Sequence, residues 1–534
     1  MKKIITTFSS ITLISLLFIS CEIGNFNLQD DPDYLDINSA NPEYLLNEVQ
    51  YLFKEIVEDL GVHTDDIMRY ESLSYEYPDI VDADVLDTQW ERYYEALNNS
   101  RAIEVIAESD QTLLFHNAVN KLLLGYLTVT LVDYIGGIPY SEAVDNATYP
   151  NPNVDDGAEL YKIVLADIDQ AITNIEDATF EISTDLFYDS NKTRWIAFAK
   201  SLKLRLLIQT RLASSEIGIT DLKTEINTLL GEDIISVASE DFQYRYGTTM
   251  EPESRHRYFI SAYDNGFSGH MGNYFMWMLK DSKNVADPRI RYYLYRQSDV
   301  DPFSGPPYVA CQYDTNADYC YIGEHYWGLD HGDNRDGRGD NLLKTVYGIY
   351  PGGGTFDEDQ FTDAPSQSNH LGGAGILPII TSSYMKFLIA EAALVLGTDG
   401  NPVDLLEDAI RDSMDKVLSF GSVTSAMAAT QSDVDDYVDE VITNYNAATT
   451  DEEKLDIIIT EFYMAGYGNS IEAYNAYRRT GYPSNIQTHI NNDNPVFPRT
   501  YPYSENEVDR NNSIEQKPNT VQVFWDTNPA GFIK

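Results

Sequence analysis

Cys21 is the residue whose surroundings most clearly specify a chemical fate. It follows Met1, Lys2 and Lys3, an apolar run from Ile11 to Ile19, and the small Ser20. A positive start, an apolar stretch too short to span a bilayer and a small residue before a cysteine together read as a lipoprotein export signal, residues 1–20. Cleavage there leaves the Cys21 thiol to carry a diacylglycerol and its amine a further acyl chain, such as palmitate, enough buried methylene for stable anchoring. The alternative is a plain secretory signal with an incidental cysteine, and Phe18 departs from the leucine usual at that place.

Two further cysteines, Cys311 and Cys320, sit in a loop rich in Tyr and Asp. Outside the cytoplasm they are expected to form a disulfide, and without a nearby Cys/His set they make a poor zinc site. Asp330, Asp333, Asn334, Asp336 and Asp340 crowd oxygen ligands among glycines, but their spacing is not that of a calcium-binding EF-hand loop. Acidic turns are common in so acidic a chain, so no metal and no cofactor is expected.

Tyrosine accounts for 39 of the 534 residues. Flat aromatic faces suit the CH-rich faces of pyranose rings, while phenols, amides and carboxylates satisfy hydroxyls without reacting. The candidate ligand-binding residues are Tyr75 and Tyr77, near Tyr70; Tyr263 and Asp264, near Tyr258; and Tyr326 and Trp327, near Asp330. Packing competes as the explanation for each. Trp90, Tyr93 and Tyr94, at helical spacing, and Trp195 read as core.

A surface glycoside hydrolase with paired carboxylates is the rival class, since 85 acidic residues always offer a pair. The chain has no G-x-S-x-G, H-E-x-x-H, P-loop or C-x-x-C. Ser383 to Lys386 fits S-x-x-K without its companion motifs, on a helix face that packing explains. A binding protein is expected, not an enzyme. A purely structural surface scaffold is a third possibility.

The formal net charge is −49. Nucleic acid is an unsuitable partner, because binding a polyanion needs counterion-releasing lysine and arginine. The same charge disfavours anionic glycans, although Arg255, His256 and Arg257 could form a local basic pocket.

The supporting elements are helices. After a polar, acidic tether over 21–40, Asn41 and Pro42 cap a helix whose face runs from Leu45 to Leu60 and which Gly61 should stop. Helical periodicity recurs at Leu160–Ile175, Trp195–Leu212, Tyr384–Leu396, Leu405–Leu418, Leu455–Met464 and Ile471–Tyr477. Leu122 to Ile135, which contains Asp133, reads as a buried helix. Neighbouring helices suggest repeat-like hairpins over 41–240 and 378–534, flanking a loop-rich insertion over 241–377.

DYIGGIPYSEA (Asp133 to Ala143), YKIVLADIDQAI (Tyr161 to Ile172), WIAFAKSLKLRL (Trp195 to Leu206), DPRIRYY (Asp287 to Tyr293), HGDN (His331 to Asn334), YPGGGTFD (Tyr350 to Asp357), MKFLIAEA (Met385 to Ala392) and YRRTGYP (Tyr477 to Pro483) follow one another along the chain. The set resembles the SusD/RagB family of outer-membrane nutrient-binding lipoproteins. That resemblance implies a mainly α fold with a tetratricopeptide-like helical hairpin scaffold and an irregular ligand-binding region. It also implies a SusC-like TonB-dependent transporter as partner and an oligosaccharide, or in the RagB branch a peptide, as ligand. The protein would then sit lipid-anchored in the outer membrane, facing the cell exterior.

Overall fold

The computed structural model describes residues 40–73, 77, 81–301, 311, 314–334, 343–490, 496–529 and 531–533. Cys21, Tyr75, Asp336 and Asp340 lie outside the described residues. From Pro42 to Lys534 the chain forms one unit, and it is mainly α. The N-terminal helices are α1 (Pro42–Asp65), α2 (Asp87–Ser109), α3 (Leu114–Ile135), α4 (Gly157–Asp177), α5 (Lys192–Gln209) and α6 (Leu222–Leu230). Then come α7 (Asn273–Lys280), α8 (Ser382–Leu396), α9 (Pro402–Leu418), α10 (Gln431–Ala447), α11 (Asp451–Ala465), α12 (Ser470–Thr480) and α13 (Glu505–Arg510). Consecutive helices pack as pairs, α1 on α2, α3 on α4, α5 on α6, α8 on α9 and α10 on α11, as tetratricopeptide-like hairpins do.

Helix α1 begins at the expected cap but does not stop at Gly61. It runs on to Asp65. A glycine inside a helix costs only about 1 kcal/mol. Here the extra turn is held by buried Thr64, whose hydroxyl bonds Leu60 O at 3.2 Å and Ser470 Oγ at 2.8 Å. Helix α10 buries Val434, Tyr437, Val438, Val441 and Tyr445 at helical spacing and starts on a capping box, with Thr430 and Asp433 satisfying each other's backbone.

Helix α3 is long and apolar enough to cross a membrane, yet 94% of its most apolar window lies inside the protein. It is the central core helix. Asp133, fully buried on it, accepts hydrogen bonds from Tyr161 Oη, Asn475 Nδ2 and Trp525 Nε1. Residues from three distant parts of the chain thus converge on one carboxylate.

The loop-rich region is pinned by strands β1 (Phe242–Arg245), β2 (Leu294–Arg296), β3 (Thr345–Tyr347) and β4 (Ile376–Ile380). β1 pairs antiparallel with β4, from Phe242↔Ile380 to Arg245↔Ile376, so the long segment leaves and rejoins the scaffold at one ladder. Inside it β2 pairs antiparallel with β3. Cys311 and Cys320 are joined as a disulfide, with Cα atoms 5.5 Å apart.

Candidate ligand-binding site

The loop leaving α1 forms one wall of the site. Arg69, buried and with φ of 66°, turns the chain. Ser72 N then donates to His270 O at 2.8 Å, and Gly272 N to Tyr70 O at 3.0 Å. Position 272 requires glycine, because a Cβ there would meet Arg69 O at 2.1 Å.

This stitching sets Glu71 against β3, where the Tyr347 hydroxyl donates to its carboxyl group. Tyr258 Oη donates to Asp65 Oδ2 at 2.7 Å. The Tyr258 and Tyr347 rings stack with centroids 4.0 Å apart and an interplanar angle of 4°. Phe267 leans on Tyr347 at 4.7 Å.

These groups enclose a cavity of about 480 Å³, bordered also by Arg257, Ser261 and Asn265. That is within the usual range for small-ligand sites. Ser261 lies in a π-helical turn, Ile260–Asp264, an irregularity often found where ligands bind.

The electrostatics depend on burial. Burial pushes the carboxyls of Asp65 and Asp66 up, to about 6 and about 7, and Asp66 also feels the charge of Asp65. Burial, then the charges of Asp66 and Asp65, push Glu71 well above the usual carboxylate range. Burial and its two acidic neighbours thus disfavour the charged form of Glu71.

The expected basic pocket reduces to one residue. Arg255 is paired with Glu253 and Asp264, each at 2.7 Å. His256 is held down to about 3 by burial and then by Arg257, so it is neutral. Arg257 borders the cavity with a side chain 38% exposed and an ion pair to Asp59 at 3.2 Å.

The raised carboxyls carry a pH prediction. A folded-state value above the unfolded one stabilises the protein while the group is protonated. That contribution is present below about pH 4 and is lost as pH rises through about 6–7. No hydrogen bond holds the Asp66 side chain among the described residues, so Asp66→Asn should be more stable than the parent at pH 8. The expected gain, discounted for partial exposure, is on the order of 2 kcal/mol, with no difference near pH 4. Urea unfolding at both pH values reads this; a less stable variant at pH 8 contradicts it.

Chemically, the site offers a cation, an amide, hydroxyls and a carboxyl group beside aromatic rings, a set suited to hydrogen-bonding many hydroxyls at once. None of the described lining residues is a histidine or cysteine, so no activated nucleophile of the Ser–His or Cys–His kind borders it.

Residues 36–504 match the family model SusD-like_2, described as starch-binding associating with outer membrane. The chain belongs to the SusD-like family. No curated protein matches it. Among solved structures, a SusD-like protein of Bacteroidetes AC2a aligns with a TM-score of 0.67 at 19% identity, over 92% of this chain and all of the other. A chitin-binding SusD homologue from Flavobacterium johnsoniae aligns with a TM-score of 0.64 at 20% identity, over 91% of this chain and 99% of its own. A SusD homologue from Bacteroides fragilis aligns with a TM-score of 0.65 at 18% identity, over 92% of this chain and all of its own.

In this SusD-like protein the aromatics expected to face a ligand are mostly given to packing. Tyr77 is 2% exposed, its hydroxyl 3.1 Å from Arg69 Nη2 and 2.9 Å from His331 Nε2. Tyr263 lies behind the cavity, donating to Tyr347 O and accepting from Thr355 N, each at 2.8 Å. Asp264 is occupied by Arg255. Tyr326 is buried under the Arg296 guanidinium, 4.8 Å from its ring centroid. Trp327 packs with Cys311 in a small separate core. Asp330 is committed too, accepting from Tyr319 N and Gln487 Nε2.

The rings of Tyr77, Tyr263, Tyr326 and Trp327 are buried and do not present open stacking faces in this structure. Tyr77, Tyr263 and Tyr326 are part of the main hydrophobic core, and Trp327 belongs to the small cluster with Cys311. Among the described residues of the clusters named from sequence, Tyr258 and Arg257 border the cavity. Glu71, Phe267 and Tyr347 were missed. A signal was available for Phe267, which lies in the glycine-punctuated run Asn265 to Gly269.

Proposed function

We propose that this protein is a lipid-anchored surface protein that binds a neutral oligosaccharide in the 480 Å³ cavity and passes it to a SusC-like TonB-dependent transporter. The observation that carries this reading is the convergence of Arg257, Asn265, Ser261 and Glu71 beside Tyr258, Phe267 and Tyr347 on one cavity without a Ser–His or Cys–His pair among its described lining residues. Membership of a family described as starch-binding supports it, as does the chitin-binding homologue. The Cys21 motif supports the anchor. Capture and hand-over need affinity and a moving lid, not bond-making chemistry.

Calorimetry of protein beginning after Cys21, against neutral glycans including chito-oligosaccharides, acidic glycans and peptides, tests the reading. Binding of a neutral glycan without release of product from a labelled oligosaccharide is the expected result. Binding of peptides alone moves the protein to the RagB-like branch, and turnover makes it an enzyme.

A further inference from the structure

A second cavity, of about 560 Å³, lies away from the first, among the start of α2, the loop that follows α3, and α13. Hydrogen bonds between distant segments build it. The Asp87 carboxylate accepts from Ser504 Oγ and Asn506 Nδ2, Asn511 Nδ2 donates to Pro152 O at 2.9 Å, and Tyr94 Oη donates to Pro139 O at 2.8 Å. Trp90 and Tyr94 meet with centroids 5.2 Å apart on its wall.

Two observations point to a ligand. The side chains of Glu91, Asn146 and Arg510 border the cavity and make no hydrogen bond or ion pair among the described residues. On the same wall Val144 is held at φ of 61° and is 36% exposed. A β-branched residue rarely adopts the left-handed region, and such strain persists where the surroundings over-determine it, commonly at ligand clamps.

We infer that this cavity is a second binding site, for a neutral saccharide of two or three pyranose rings. Arg510 only donates, Glu91 only accepts and Asn146 does both, which matches hydroxyls that do both. Glu91 and Glu507 beside a single arginine disfavour an anionic ligand. No described strand borders the cavity, so a peptide cannot be held there by main-chain pairing. The inference stands on this cavity alone and does not depend on the first one being occupied.

The test is calorimetry with chitotriose, cellotriose, maltotriose and mannotriose on the parent protein and on Arg510→Ala, Asn146→Ala and Arg257→Ala. Both residues of the second cavity are exposed, so their loss leaves the core intact. At least one triose should bind with a component that Arg510→Ala and Asn146→Ala each weaken about tenfold and Arg257→Ala leaves in place. An accompanying tryptophan-fluorescence change should vanish in Trp90→Phe. Isotherms that Arg510→Ala and Asn146→Ala leave unchanged, no triose binding at all, or binding of peptides alone at this cavity overturns the inference. Loss of all binding in Arg257→Ala removes the second site and keeps the first; the converse pattern removes the first and keeps the second.

Discussion

Glu391→Ala should destabilise the protein by about 3–5 kcal/mol, the cost of leaving buried charges without their partner. Glu391 on α8 has no exposed surface. It accepts from Arg211 Nε at 2.8 Å and from Arg479 Nε and Nη2 at 2.8 and 2.7 Å. Arg479 itself is 2% exposed and also donates to Gln209. The carboxylate thereby ties α8 to α12 and to the chain leaving α5. Burial works against its charge, but Arg479 and Arg211 outweigh burial and hold the group down to about 2.

The linkage follows from that value. A depressed folded-state value gives stability that is present above about pH 4.5, the unfolded value, and is lost as pH falls through about 2. The gap between parent and Glu391→Ala should therefore be full at pH 7 and narrow below pH 4. Glu391→Gln, which keeps shape and some hydrogen bonding, should fall between them. Denaturant unfolding at the two pH values measures this, and a loss under about 1 kcal/mol at pH 7 would falsify the role given to this triad.

Arg257→Ala should weaken glycan binding at the first cavity about tenfold to a hundredfold while leaving stability almost unchanged. A hydrogen bond from a charged donor to a bound ligand is worth about 1.5–3 kcal/mol, which is that range in affinity. Its half-exposed pair with Asp59 contributes only about 0–1 kcal/mol to folding. Arg257→Lys keeps the charge but not the fork of donors and should recover part of the loss. Titration calorimetry beside a melting curve separates the two effects. Equal dissociation constants for parent and Arg257→Ala would place the ligand elsewhere.

The helical scaffold was largely legible because burial on one face repeats along the chain: Leu160 to Ile175 and Leu405 to Leu418 each mark a helix that is present. Gly61 misled because tertiary contacts at Thr64 outweigh a weak local preference. Helix α10 escaped although Val434, Tyr437, Val438, Val441 and Tyr445 have helical spacing, because those few apolar positions are set among Asp, Asn and Thr. The site was less readable. Spacing placed Tyr258, Tyr263 and Asp264 together, but whether a loop tyrosine faces inward depends on partners far away, such as Tyr347 for Tyr258. Glu71 and Tyr347 meet only because Gly272 lets two backbones touch, which no local pattern encodes.

The convergence on Asp133 bears on how the molecule is made. Trp525 supplies an indole N–H to a carboxylate 392 residues earlier in the chain. Tyr501 likewise reaches back to His63 O, and Ser504 to Asp87. Without Trp525 the buried Asp133 carboxylate loses one of its donors. This part of the core therefore closes only when segments 392 residues apart in sequence have docked, and a chain in which they have not met remains open to proteolysis.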